Sequence, residues 1–430
     1  MIKWKEGIHM RTRFYNARIL TMKDFDIFLG EVWVEDNKIS YVGKYKEPDC
    51  LFDQEIDVQK NLIMPGFINA HTHSGMTFLR SMADDMPLQQ WLNDKVFPIE
   101  AKLSKEDIYY FSKLAILEYL TSGITTNFDM YLNPEAIVKA SLDMKYRTVL
   151  CGAVNDFCLS VEDVERCFNE YNQENSLISY ILGFSHEYTN SKEKIQQVAA
   201  LSHKYKAPVY THLSETEYEV NTCKEKTGFS PVEYLCNLGV YDYGGGAFHL
   251  VHMSEHDLDL FEEKHLNVIT NPASNLKLAS GIAPIQAMLQ RNMNICLGTD
   301  GPASNNCLDM FREMFLVTGL AKYKTSDASA VDAYEVLKMA TVNGAKALNL
   351  NCGVLEEGKL ADLIILDLHQ PNMQPINNIA KNIVYSGSKA NVKCTMVNGE
   401  ILYEDGFFHV GFDVESLYNE VQKRVERLIQ

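Results

Sequence analysis

Nowhere does the sequence hold an apolar run approaching the ~20 residues that a membrane-spanning helix requires, so no membrane partner is expected. The opening stretch, MIKWKEGIHMRTRF, lacks the apolar centre of a secretory signal, and it leaves open whether translation starts at Met1 or at Met10. Basic residues are in short supply: 40 Lys and Arg face 57 Asp and Glu, a formal charge of −17. Such a surface repels a phosphate backbone, which excludes nucleic acid as the expected partner. None of the ten cysteines forms a CxxC pair, and Cys151 and Cys158 have no redox or zinc-ribbon spacing. Reduced thiols in a cytoplasmic protein are the expectation. No fixed-period repeat or low-complexity tract is present, so a solenoid is excluded.

What is present is a long chain with ample core: 430 residues, 46% hydrophobic. That length suits one large domain and one smaller one. Residues 13–64 alternate apolar and polar positions and break at EDN and GK, the texture of short strands. From residue 65, short apolar runs alternate with longer helical patterns. The runs are GFINAHTH, GITTNFDMY, RTVLCGAVND, ISYILGFSHE, APVYTHLSE, GGAFHLVHM, LNVITNPAS and MNICLGTDG. Eight strands separated by helices predict a parallel (β/α)8 TIM barrel. One of the helices is announced by Ser104 with Asp107 three residues on, a capping-box pattern, and is closed by Gly123. Beyond residue 350 the texture returns to strands, with a VNGE hairpin turn, and ends in the helical ESLYNEVQKRVERLI. The predicted fold class is therefore α/β: a (β/α)8 barrel over 65–350, with a small composite β-sandwich formed from both chain ends, 1–64 and 351–430, the latter including a C-terminal helix.

The C-terminal ends of barrel strands are where active sites are built. His71 and His73 end the first strand two residues apart, and residues two apart on a strand share a face. The fourth strand ends in His186 and the fifth in His212, with Glu215 three residues later. The sixth ends in His249 and His252, and the eighth in Asp300. An HxH pair alone is common in ordinary strands. The full set at successive strand ends predicts a metal site, with His71, His73, His212 and Asp300 around one divalent ion. His252 is expected to support the site from outside. His203, His256, His265, His369 and His409 fall in helical or loop contexts and are expected in solvent.

The long stretches MPGFINAHTHSGMTFLRSMADDMPLQQWL, PVYTHLSET, TNPASNLKLASGIAPI, LGTDGPASNN and GKLADLIILDL resemble the amidohydrolase superfamily, in its 5′-methylthioadenosine/S-adenosylhomocysteine deaminase branch. The resemblance runs over nearly the whole chain from residue 13. It implies a metal-dependent barrel with a composite sandwich. It also implies roles: His71, His73, His212 and Asp300 as metal ligands, Glu215 as proton shuttle, and His249 as the histidine assisting the attacking water. Glu100 matches a residue holding the ribose hydroxyls, and His186 one that contacts the purine. Ser304 and Asn305, beside Asp300, are expected near the substrate. Trp91 is expected as a pocket wall or equally as a buried core residue. Binuclear relatives bridge their metals with a lysine on strand four. ISYILGFSHE has none, so one metal is expected. Three imidazoles and a carboxylate suit zinc, and the ligand types also admit iron.

The implied activity is that of an aminohydrolase acting on a cyclic amidine. Bound metal would lower the pKa of water from 15.7 to roughly 7, supplying a nucleophile for C6 of an adenine nucleoside. Glu215 would protonate the ring nitrogen, and ammonia would leave. The rivals are deamination of another ring (guanine, a pterin, a triazine) and, further off, a catalytically silent scaffold of the same fold. Glu100 favours a nucleoside over a free base. For the 5′ group, S-adenosylhomocysteine-active members clamp the amino-acid carboxylate with arginines near strand three. Here Cys151 stands at the first of those positions, and the following loop offers Glu162 and Asp163, with no arginine until Arg166. Arg147 lies at the far end of the strand. Adenosine, 5′-deoxyadenosine or 5′-methylthioadenosine is therefore expected over S-adenosylhomocysteine. Nothing in the sequence says whether copies associate into a homo-oligomer.

Overall fold

The computed structural model describes residues 10–48, 50–82, 84–156, 159–172 and 177–429. Met1 and the residues before Met10 lie outside these, as does Cys158. Among the described residues, seventeen strands form two sheets. The first holds β1 (Arg11–Leu20), β2 (Ile27–Glu35), β3 (Lys38–Gly43), β4 (Gln54–Asp57) and β5 (Leu62–Pro65) from the start of the chain. The second holds β6 (Phe67–Thr72), β7 (Ile124–Asp129), β8 (Arg147–Cys151), β9 (Ile178–Gly183), β10 (Val209–Leu213), β11 (Gly245–His249), β12 (Asn267–Thr270) and β13 (Ile295–Leu297). The chain then returns to the first sheet with β14 (Leu363–Leu366), β15 (Val392–Val397), β16 (Glu400–Glu404) and β17 (Phe407–Phe408).

The eight strands of the second sheet run parallel, each beside its predecessor, the order expected of a (β/α)8 barrel. Their residues are almost wholly buried, because helices cover the outer face and side chains fill the inner one. The ring closes where the Asp300 N–H donates to the His71 carbonyl at 2.9 Å. Gly298 makes this approach feasible: a Cβ there would lie 2.8 Å from the His71 nitrogen.

Both chain ends fold into one sheet because β5 sits between them, parallel to β1 and antiparallel to β14. Its inner face, from Phe14, Ile19, Val32 and Ile63 to Leu363, Ile365 and Met396, forms an apolar core of its own. The VNGE turn joins β15 to β16 with Asn398 and Gly399 both at positive φ, the twist a two-residue hairpin favours. The capping box is also present. Ser104 and Asp107 exchange bonds at the start of the helix Lys105–Thr121, and Gly123 follows its end at φ 73°. Asp107 in addition receives Arg424 and Arg427, which anchors the C-terminal helix Val414–Ile429. Among the described residues no helix is long and apolar enough to cross a membrane.

Arg147 opens β8 at the end away from the histidines. Its guanidinium is buried and pairs with Asp362, also buried, through bonds of 2.7 and 3.1 Å. The pair ties the barrel to the sheet. Asp362→Ala would strand a buried charge, so a loss of about 3–5 kcal/mol is expected. A lower denaturant midpoint, with activity per folded molecule retained, is the predicted result. An unchanged midpoint would remove this pair from the account of how the two sheets are joined.

Candidate active site

Four strands converge on one cluster of donors. His71, inside β6, is fully buried, and its ring stacks on Phe248 of β11 at 3.8 Å between centroids. His73 Nε2 lies 3.2 Å from Asp300 Oδ1, and His71 Nε2 lies 3.5 Å from the same oxygen. His212 Nε2 lies 3.4 Å from His73 Nε2. A tetrahedral ion with bonds of about 2.0–2.1 Å separates its ligands by about 3.3–3.4 Å. These donors therefore already stand at the spacing of a shared ion. His71, His249 and Asp300 form a second overlapping group with donor atoms within 4.8 Å of one another.

The outer nitrogens explain how the rings are aimed. Nδ1–H of His73 donates to the Met130 carbonyl, and that of His212 to the Ser185 carbonyl at 2.8 Å. Nδ1–H of His249 donates to Asn275 Oδ1 at 2.7 Å. Each bond fixes the tautomer that turns an Nε2 lone pair inward. Both ring nitrogens of His71 are buried with no hydrogen-bond partner among the described residues, an arrangement unfavourable unless something else occupies a lone pair. Burial pushes the His71 imidazole down to about 3 and holds His212 well below the usual range, so both are neutral, as metal ligands must be. Burial works against the Asp300 carboxylate, but His71 and His73 outweigh it and hold its pKa well below normal.

The backbone contributes as well. Ser214, His249 and Asp300 occupy the left-handed region, at φ 52°, 73° and 61°. For non-glycine residues this costs about 1–3 kcal/mol each. The strands end in these turns, and the turns carry the side chains of the cluster.

Glu215 is buried beside His249, with Oε2 3.9 Å from His249 Nε2. Its Oε1 accepts the Ser280 hydroxyl at 3.1 Å, while the Ser280 carbonyl accepts His252 Nε2–H at 2.7 Å. His252 thus reaches the cluster through one intermediary. His186 stacks on His212 at 4.3 Å with an 11° interplanar angle, and burial pushes its imidazole down to about 3. Glu100 Oε1 accepts the Tyr131 phenol at 2.6 Å, and the Tyr131 ring centroid lies 6.4 Å from that of His73. Trp91 is buried in the main apolar cluster with its Nε1 unpartnered.

Ser304 and Asn305 both bond within the loop that carries Asp300. The Ser304 hydroxyl donates to Asp300 Oδ2 at 2.9 Å. The Asn305 amide donates to the Thr299 carbonyl and to Glu313 Oε1, both at 2.7 Å. Both side chains brace the Asp300 loop, because that loop folds back on itself after the turn at Asp300.

Several residues of the site had no role assigned from sequence. Ser274 donates to Asp300 Oδ2 at 2.6 Å, and Asn275 holds His249. Both ride on the short helix Pro272–Lys277, whose Ala273 N–H is gripped by the buried Glu313 at 3.0 Å. Glu219 accepts the N–H groups of Ser214 and of Glu215, the latter at 2.8 Å. The only advance signal was the TNPASN stretch itself, polar where a buried strand ends.

Comparison with known proteins agrees with this geometry. Residues 62–402 match the model of the amidohydrolase family. The chain is 38% identical over 426 residues to a 5-methylthioadenosine/S-adenosylhomocysteine deaminase of Thermoanaerobacter pseudethanolicus, covering 96% of this chain and 98% of that one. It is 38% identical over 406 residues to a 5′-deoxyadenosine deaminase of Methanocaldococcus jannaschii, covering 93% and 96%. Among solved structures, an adenosine deaminase from Xanthomonas campestris with bound zinc superposes with a TM-score of 0.91 at 28% identity, covering 97% and 98%.

Proposed function

The chain belongs to the amidohydrolase family, and from that premise we propose that it deaminates an adenine nucleoside hydrolytically at the cluster of His71, His73, His212 and Asp300. It is a deaminase, and relatives acting on adenine nucleosides give the substrate class. The observation that carries the reading is the spacing of the inward-facing donors, 3.2–3.5 Å, directly beside the Glu215–His249 pair. One divalent ion, zinc by its ligand chemistry, would be held by the three imidazoles and the carboxylate, and would make water a nucleophile near neutral pH. Its scattered cysteines, without pair spacing, support a cytoplasmic location.

The protein groups divide the remaining work. His249, its Nδ1–H fixed by Asn275, presents Nε2 to the attacking water and orients it. Asp300 accepts a hydrogen bond from the same water. The water oxygen bonds to C6 of the purine. Glu215 takes one proton from that water and delivers it to the neighbouring ring nitrogen, so negative charge does not build up on the ring. The second water proton passes to the exocyclic amine. The C6–N bond breaks, ammonia departs, and the ring is left as its hypoxanthine form. The stacking of His186 on His212 supports a contact between His186 and the purine. Glu100 receives the ribose hydroxyls.

The 5′ end discriminates further. Cys151 is buried at the rim end of β8 and brings no charge to it. Arg166 is engaged with Glu135 and Glu170 on the surface, and Arg147 with Asp362. Lys194, beside this rim, donates to the Asn155 carbonyl at 2.9 Å and pairs with Asp156 at 3.2 Å. None of Arg147, Arg166 and Lys194 is therefore free to meet a substrate carboxylate. The lost charge-assisted contact predicts that S-adenosylhomocysteine falls roughly 10–150-fold below substrates with an uncharged 5′ group. The test is kcat/KM for adenosine, 5′-deoxyadenosine, 5′-methylthioadenosine and S-adenosylhomocysteine, with guanine and a pterin alongside. S-adenosylhomocysteine equal or best would overturn the 5′ reading. Turnover of guanine or the pterin alone would overturn the nucleoside reading.

A further inference from the structure

Tyr131 follows β7 directly after Asp129 and Met130, on the rim where the donors converge. It is buried, and its ring centroid lies 6.4 Å from that of His73. Its position is fixed by the HTHSG segment. A Cβ on Gly75 would lie 2.3 and 2.4 Å from two carbons of the Tyr131 ring, so the ring occupies space that any other residue at 75 would fill. From there the phenol donates to Glu100 Oε1 at 2.6 Å. Glu100 Oε2 carries no hydrogen bond to the described residues. Tyr131 thus takes one carboxylate oxygen and leaves the other free to accept.

We propose that Tyr131 sets the selectivity of this enzyme for an intact 2′,3′-ribose diol, by holding Glu100 so that its free oxygen accepts from the sugar hydroxyls. The inference rests on the reading of Glu100 as the diol-binding residue. The chemistry suits the task. A vicinal diol presents two O–H donors, and a carboxylate answers them only while it remains an acceptor. Burial pushes the Glu100 carboxyl up to about 7, and the Tyr131 phenol works against that by bonding the ionised form. Without the phenol, the carboxyl is free to rotate and more readily protonated. It then competes with the sugar as a donor. Tyr131 is a positioning residue in this scheme, since it touches Glu100 and acts through it.

The experiment compares kcat/KM for adenosine and for 2′,3′-dideoxyadenosine in the metal-loaded wild type, Tyr131→Phe and Glu100→Gln. The ratio of the two substrates cancels the concentration of active enzyme, so partial unfolding of a variant does not move it. The wild type is expected to favour adenosine. Tyr131→Phe should narrow that ratio by about 10-fold, the effect of one charge-assisted hydrogen bond, mainly through the KM of adenosine. Glu100→Gln should narrow it at least as much. If Glu100→Gln narrows the ratio and Tyr131→Phe leaves it at the wild-type value, the role given to Tyr131 is wrong while that of Glu100 stands. If neither variant changes the ratio, Glu100 does not read the diol and both assignments fall.

Discussion

Glu215→Gln should lose between about 10² and 10⁴ in deamination rate while keeping its full complement of metal. Glutamine has the shape of glutamate, and its side-chain oxygen can still accept the Ser280 hydroxyl that Glu215 Oε1 receives at 3.1 Å. The backbone is also secure, because the Glu215 N–H is held by Glu219 at 2.8 Å whichever side chain follows. What the variant cannot do is carry a proton to the purine ring. Glu215 is absent from both donor groups around the cluster, so metal content should be unaffected. Metal analysis on the same preparation used for single-turnover deamination decides the matter. A fully metallated variant turning over near the native rate would remove Glu215 from the mechanism.

His71→Ala and Asp300→Ala should behave in the opposite way, losing metal and activity together. His71 is fully buried, with its Nε2 3.5 Å from Asp300 Oδ1, and no hydrogen bond holds the ring. Removing it takes away one of four ligands and leaves the others facing a void. Asp300→Ala removes the only carboxylate of the set and also leaves the hydroxyls of Ser274 and Ser304, and the Gly301 N–H, without their acceptor. With one ligand gone and the neighbouring polar groups unpaired, the site should bind its ion far more weakly. Either variant purified with stoichiometric metal and normal rates would refute the ligand set.

The strand ends were the legible part of this protein. A two-residue spacing places His71 and His73 on one face, and an apolar run ending in a polar residue marks where a parallel strand meets solvent or a site. The capping box at Ser104 and the turn at Asn398–Gly399 are likewise local, fixed by residues three or fewer apart. The braces around the cluster are not local. Glu313 grips the Ala273 N–H across 40 residues, Asn275 holds His249 across 26, and Tyr131 reaches Glu100 across 31. Nothing in the spacing of such residues distinguishes a brace from a solvated side chain. Ser304 and Asn305 illustrate the same limit. Their nearness to Asp300 in sequence does not reveal that, after the tight turn at Asp300, they fold back onto the loop that carries it. The left-handed backbone of His249 was equally invisible, because a non-glycine residue adopts it only where the surrounding fold imposes it.

The most direct test is a metal titration of the chelated protein, followed by ammonia release from 5′-deoxyadenosine. The donor spacing around His71, His73, His212 and Asp300 predicts no measurable activity without metal, and a rate that rises linearly with added zinc and saturates at one equivalent per chain. Full activity in the chelated protein, or saturation only at two equivalents, would contradict a mononuclear metal-dependent deaminase.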